Sequence, residues 1–401
     1  MDLAKYQAIS RRDYEAIAGP DWPVYSEFQL HQSVAPFVYE EIDAMLVGPR
    51  VFDNPAFCVL PFYARELPLD TPCCYLPPAH NINQIKKDML VGQRPTDCQK
   101  CWRLEDSGIK SNRQINNETV DFYFDQDLAL ILDSCQQGLN ETLHYKIDTS
   151  NTCNSTCITC GSLASSLWGQ LESRNGVTPH KNWSLDLDSF DDKMDFARAK
   201  SIGFRGGEPL LSPANFKILE KLIKHRNFNC FINFQTNGGV ELSPRQKDIL
   251  SNFTNVNMSF SIDGVGPVFE YMRYPLKWSL LLKNIDYCRS NNILVSACYT
   301  LSNVNLIHHE ETCAWFDQNK IRYILNLVYY PNYFRPSALP KLVKDQILTQ
   351  QKTSQLADVL ATHTPQDDRD YTQFQLEIAR QDLWKGIQMQ DYLPKLHQLL
   401  G

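Results

Sequence analysis

The chain has 401 residues, 43% of them apolar and 21% charged, a balance that excludes a disordered or fibrous protein. A net charge of -7 argues against a nucleic-acid backbone as the main partner, because phosphate binding is driven by Lys and Arg. No run of eighteen apolar residues occurs and the opening MDLAKYQAISRRDYEAIAGPDW lacks a signal-type apolar stretch, so no membrane partner and a cytoplasmic location are expected.

In chain order, residues 1–50 are turn-rich and are assigned as an N-terminal helical segment. Residues 51–140 show no βα alternation but hold one group of the thirteen cysteines. These cysteines lie in Phe57-Cys58-Val59-Leu60-Pro61-Phe62, then Pro72-Cys73-Cys74, then Asp97-Cys98-Gln99-Lys100-Cys101-Trp102. One C-x2-C pair and two more distant thiols supply four soft ligands. On residue types alone they suit a zinc ribbon, an iron–sulfur cluster or scattered structural thiols. Thirteen cysteines in a chain expected to stay in a reducing compartment favour metal ligands over disulfides.

From about residue 143 strand-like and helix-like stretches alternate. The expected strands are Leu143–Asp148, Ser201–Arg205, Cys230–Gln235, Val256–Ser261, Ile293–Tyr299 and Tyr323–Val328. Helical periodicity such as Asn215–Ile223 separates them. Repeated β-then-α units imply parallel strands with right-handed crossovers. The expected fold is α/β, a partial (β/α)6 TIM-like barrel over residues 141–335. A helical C-terminal extension without cysteine follows over residues 336–401.

The first of these strands runs into Thr152-Cys153-Asn154-Ser155-Thr156-Cys157-Ile158-Thr159-Cys160-Gly161, a C-x3-C-x2-C spacing. Three thiols so close together must converge on something soft. A structural zinc site wants four protein ligands, whereas a cluster iron without its cysteine is free to bind another molecule. The second strand ends in Phe204-Arg205-Gly206-Gly207-Glu208-Pro209, where paired glycines let a ligand approach the backbone. The third ends in Gln235-Thr236-Asn237-Gly238-Gly239 and the fourth in Ser261-Ile262-Asp263-Gly264. Each alone reads as a turn. Their shared position after consecutive strands places a site at the C-terminal mouth of the barrel.

C-x3-C-x2-C after a first strand, followed by Gly-Gly-Glu-Pro after the second, resembles the radical S-adenosylmethionine (SAM) enzymes over roughly residues 143–335. The resemblance implies that Cys153, Cys157 and Cys160 hold three irons of a [4Fe–4S] cluster, the fourth being chelated by SAM. It implies that Gly206, Gly207 and Glu208, followed by Pro209, meet the SAM ammonium, and that Ser261 and Asp263 meet the ribose, with Asn237 nearby. Leu327 and Val328 are implied for the adenine and Arg273 for the carboxylate. One departure is Thr159, where the superfamily often has an aromatic residue before the last cysteine. The upstream cysteines resemble the SPASM and twitch modules of peptide-modifying relatives, though here they precede the barrel. This implies a second, auxiliary [4Fe–4S] cluster on Cys58, Cys73, Cys98 and Cys101, with Cys74 able to replace Cys73.

The implied activity is that of an oxidoreductase. SAM is cleaved to a 5′-deoxyadenosyl radical, and hydrogen is taken from a peptide, with a flavodoxin or ferredoxin as electron donor. A dehydrogenase or epimerase acting on a sugar or other small polar metabolite is the alternative, and a zinc-binding scaffold without catalysis is the alternative from another class. Cys230, Cys288, Cys298 and Cys313 read as core residues, Cys298 being the one thiol placed to face inward. His308-His309 reads as an exposed helix start, and His144 as a satisfied core histidine. Tyr329, Tyr330, Tyr333 and Phe334 suit either a pocket wall or aromatic packing.

Overall fold

The computed structural model describes residues 54, 56–67, 70–73, 76, 80–106, 111, 113–114, 117, 135–137, 142–187, 193–328, 331–350 and 368–400. The expected segment at 1–50, Cys74, Tyr329 and Tyr330 lie outside them.

Seven parallel strands form one sheet in sequence order: β1 (Ala64–Leu67), β2 (His144–Asp148), β3 (Ser201–Arg205), β4 (Phe231–Thr236), β5 (Val256–Ser261), β6 (Leu294–Leu301) and β7 (Arg322–Leu327). β1 and β7 are its two edges, so the barrel is open and partial. The six expected strands are all present, shifted by at most a few residues at their ends. The seventh, β1, lies in the region expected to lack βα units and pairs with β2 from Ala64↔His144 to Leu67↔Ile147. Its sequence, Ala-Arg-Glu-Leu, gives no apolar alternation. Charge pairing fixes it instead, through Arg65 Nε to Asp70 at 2.9 Å and Glu66 to Lys146 and Arg205 at 3.5 and 3.2 Å.

Side chains alternate faces along each strand. One set, including Tyr145, Ile147, Ile202, Phe204, Ile232 and Phe234, is buried in the main apolar core with Phe216, Ile218, Leu219 and Leu222 of the helix α1 (Pro213–Lys224). The alternate set is polar. Asn257 Nδ2 donates to Asn233 Oδ1 and Ser296 Oγ at 2.8 and 2.9 Å, and Ser259 Oγ lies 3.3 Å from Cys298 Sγ. A parallel strand that is apolar on one face only leaves its other face for chemistry.

Cys230, Cys288, Cys298 and Cys313 are buried, as expected of core residues. His308 and His309 do mark a helix start, that of α2 (His309–Gln318), but both are buried rather than exposed. The His309 ring stacks on Tyr299 with its Nδ1 3.2 Å from the Tyr299 hydroxyl. That aromatic partner outweighs the usual preference of His for water. His144 Nδ1 lies 2.6 Å from Ser201 Oγ. Phe334 is core, packed edge-on to Phe374 of the C-terminal helix α3 (Asp368–Lys385). Among the described residues no helix is long and apolar enough to cross a membrane.

Candidate active site at the barrel mouth

The loop after β2 holds its three cysteines by backbone and side-chain anchors. Thr156 N donates to Tyr274 O at 2.6 Å and Ile158 N to Met272 O at 2.9 Å. Ser165 caps the following helix, α4 (Ser166–Arg174), by accepting from Trp168 N, and its hydroxyl donates back to Ser155 O at 2.7 Å. Cys153 and Cys157 are half-buried and Cys160 is exposed. Ser155 Oγ stands 3.3 Å from both the Cys153 and Cys157 sulfurs. Asn237 Nδ2 lies 3.8 Å from Cys153 Sγ, and Arg273 Nη1 lies 3.7 Å from Cys157 Sγ. Burial, then the neighbouring Cys157, pushes the Cys153 thiol up, so it stays protonated until something soft and positive deprotonates it.

Gly206 and Gly207 close the gap between β3 and this loop. Gly206 has φ +109°, and a Cβ there would meet Ser150 O at 2.6 Å. Gly207 N donates to Ser150 O at 2.9 Å and Glu208 N to Thr152 O at 2.7 Å. The pair is therefore required by the loop's own backbone, in addition to any ligand.

The strand ends and the loop enclose a cavity of about 710 Å³. Of the residues singled out in the sequence, Cys153, Cys157, Cys160, Gly206, Gly207, Asn237, Ser261 and Arg273 line it. Glu208, Pro209, Asp263 and Val328 are not among its lining. Glu208 is buried, accepting from Leu210 N (3.0 Å), Thr236 Oγ1 (2.8 Å) and Asn237 N (2.7 Å). Asp263 is buried too, paired to Arg273 at 2.8 Å and accepting from Thr300 N at 2.8 Å. Pro209 opens a short 3-10 turn, and Val328 N donates to Leu301 O at 2.9 Å. Leu327 ends β7 opposite Leu301.

Asp148, Arg205, Gln235, Leu163 and Trp183 line the cavity without having been singled out. Arg205 and Asp148 are register partners joined at 3.3 Å, a placement the strand ends could have suggested. Trp183 arrives through an isolated bridge between Ser150 and Ser184, with no local sequence signal.

A second cavity gathers the upstream cysteines. Cys58, Cys73, Cys98 and Cys101 all line it, with Leu60, Pro61, Leu76, Met89 and Arg113. Burial, with Cys101 next, raises Cys58 well above its usual range; burial, then Cys101 and Asp97, pushes Cys98 up to about 12. Arg113 is held by Glu105 at 2.7 Å and donates to Phe57 O at 2.7 Å, its guanidinium over the Trp102 ring. Cys135, given no role by the sequence, is buried in the same apolar cluster as Cys58 and Cys73. Among the described residues no three His, Cys, Asp or Glu side chains converge as ligands of a single ion. A polynuclear cluster is held differently, each thiolate on its own iron. Both donor sets are all thiol and each lines one cavity, a composition compatible with such a group.

A parallel open barrel with thiols, paired glycines and a cavity at its strand C-termini is an α/β architecture whose candidate site lies at the barrel mouth. Residues 147–316 match the family model of the Radical SAM superfamily, so this part of the chain is a radical SAM domain. A [4Fe–4S] cluster and SAM are the family's cofactors. No curated protein shows significant similarity to the chain. It is similar to the solved structure of native anSMEcpe with bound AdoMet, at 19% identity and TM-score 0.37, covering 61% of this chain and 63% of that one. It is also similar to Streptococcus suis SuiB bound to S-adenosylmethionine, at 13% identity and TM-score 0.40, covering 72% and 61%. A structure of SuiB bound to precursor peptide SuiA matches at 12% identity and TM-score 0.37, covering 65% and 60%. The chain spans less than two thirds of the length of each of these proteins.

Proposed function

We propose that this protein reductively cleaves SAM at the barrel mouth and oxidatively modifies a peptide, with an auxiliary cluster on Cys58, Cys73, Cys98 and Cys101. The observation that supports it is the single cavity shared by Cys153, Cys157, Cys160, Gly206, Gly207 and Arg273. When bound by Cys153, Cys157 and Cys160, a reduced [4Fe–4S] cluster would supply the one electron that breaks a carbon–sulfur bond of SAM with release of methionine, chemistry that allows hydrogen to be taken from an unactivated C–H bond.

The chain's own residues bind and orient. Cys153, Cys157 and Cys160 are the cluster ligands in this reading. Gly206 and Gly207 offer backbone groups at the cavity wall, while Asn237 and Ser261 offer side-chain ones. Arg273 is aimed by Asp263, lines the cavity 3.7 Å from the Cys157 sulfur, and is suited to a carboxylate. Glu208 and Asp263 act beneath the surface, holding Asn237 and Arg273 in place. The polar inner face of β2 and β3, with Asp148 and Arg205, is left for the substrate. The peptide reading rests on the second thiol cavity, whose cysteine order resembles the auxiliary modules of peptide-modifying relatives.

The test is anaerobic reconstitution with iron and sulfide, then SAM and dithionite. The proposal expects a brown protein with about eight irons for two four-iron clusters, and 5′-deoxyadenosine as a product. Replacing Cys153, Cys157 and Cys160 by Ala abolishes that product. Colourless protein with stoichiometric zinc, or deoxyadenosine formed with a sugar but never with a peptide, would overturn it.

A further inference from the structure

Helix α3 holds a buried cation that the proposed reaction does not employ. Lys385 is 8% exposed. Its Nζ donates to Gln381 Oε1 at 2.8 Å and lies 4.9 Å from the centre of the Trp168 ring. Both neighbours are fastened to the cysteine loop. Gln381 Nε2 donates to Ile158 O at 3.0 Å, and Trp168 Nε1 donates to Cys157 O at 2.9 Å. The ammonium thus sits behind the loop segment that spans Cys157 and Cys160, whereas Arg273 reaches Cys157 from the cavity side.

The nearby carboxylates are committed elsewhere. Glu377 pairs with Arg380 and accepts from Gln381 at 2.8 Å. Asp382 accepts from the Tyr271 hydroxyl at 2.9 Å and from Met389 N at 2.6 Å. Among the described residues Lys385 forms no ion pair with a carboxylate, and its hydrogen-bond partner is neutral. Burying an ammonium without a bonded anion is costly unless other negative charge compensates it. Burial pushes Lys385 down to about 7, against the pull of Cys157, Asp382, Glu377 and Cys160. A cluster on three thiolates would add negative charge beside the loop carbonyls that hold Gln381 and Trp168.

We propose that Lys385 is a positioning residue for the cluster of the cysteine loop, an ammonium behind Cys157 that makes the cluster easier to reduce. Reduction adds one electron to the cluster, and a cation in a low-dielectric setting favours the more negative state. The inference rests on the reading of Cys153, Cys157 and Cys160 as cluster ligands. It also gives the C-terminal helix, which supplies no ligand, an electronic role.

The experiment is a redox titration of the reconstituted holoenzyme, following the part of the EPR signal that responds to SAM, together with an iron count. Lys385→Gln removes the charge at similar length, and Lys385→Arg keeps it. Lys385→Gln is expected to keep its iron and to lower the reduction equilibrium constant about tenfold, which is about 59 mV for one electron. Lys385→Arg is expected to stay near the wild type. Equal potentials in wild type and Lys385→Gln, loss of iron in Lys385→Gln, or an Arg variant shifted as far as the Gln variant overturns the proposal. A wild-type protein with no SAM-responsive cluster signal defeats the underlying reading instead.

Discussion

A Cβ on Gly207 would stand 2.2 Å from the Thr152 carbonyl oxygen, inside the backbone of the cysteine loop itself. The glycine after β3 and the loop after β2 are therefore packed at contact, with no side chain between them. Gly207→Ala forces the two backbones apart next to Cys153, and the clash is with main-chain atoms that have no rotamer to escape by. A loss of about 1–3 kcal/mol of stability is expected, with incomplete cluster loading at normal iron supply. Iron content and the melting temperature of the variant measure both, and a fully loaded variant of wild-type stability would refute the contact.

Cys98 and Cys101 stand on successive turns, Cys98 in a 3-10 turn and Cys101 in the helix Gln99–Asp106, and they share a cavity with Cys58 and Cys73. Replacing both by Ala is expected to remove about half of the iron, the share of one four-iron cluster in two, while deoxyadenosine formation continues. Product formation on the true substrate should fall. If iron stays at the wild-type level, the second site holds no cluster.

Much of this was legible in the sequence because β2 to β7 bury one apolar face, and that burial imposes a regular pattern. The cysteine loop and Gly206-Gly207 were legible because their chemistry is local. What the pattern could not show are contacts between distant segments. Gln381 reaches Ile158 across 223 positions, and Trp183 reaches the cavity through a bridge at Ser184. Strand β1 escaped because Arg65 and Glu66 fix it by charge. The sequence also says nothing of which carboxylates turn inward, and that decides the roles of Glu208 and Asp263.

Glu208 offers a sharp distinction. The motif resemblance implies contact with the SAM ammonium, whereas the carboxylate accepts three hydrogen bonds from the chain and does not line the cavity. Glu208→Gln keeps the shape but turns one acceptor oxygen into a donor, leaving an amide N–H or the Thr236 hydroxyl opposed. A cost of about 2 kcal/mol is expected, read as a lower melting temperature with iron retained. A variant of unchanged stability whose SAM affinity falls tenfold would instead assign the carboxylate to the cofactor.

His309 gives the fold an acid sensitivity through a group outside the lining of the barrel-mouth cavity. Burial lowers its pKa from 6.5 to about 4, and the ring lies between the Tyr299 hydroxyl and the Cys313 thiol, with no carboxylate bonded to it. The folded state therefore binds the proton less readily than the unfolded chain. Its contribution to stability is complete above the unfolded pKa near 6.5 and is lost as pH falls from there toward about 4. The full effect is on the order of 3 kcal/mol. Neighbouring His308 is lowered as well, by burial against the opposing pull of Glu311, so some acid sensitivity persists without His309. His309→Phe keeps an aromatic ring against Tyr299 and cannot take a proton. Between pH 7 and pH 5 its melting temperature should fall less than that of the wild type. Parallel pH profiles for the two proteins would mean that His309 is not the group that acid reaches, whatever its burial.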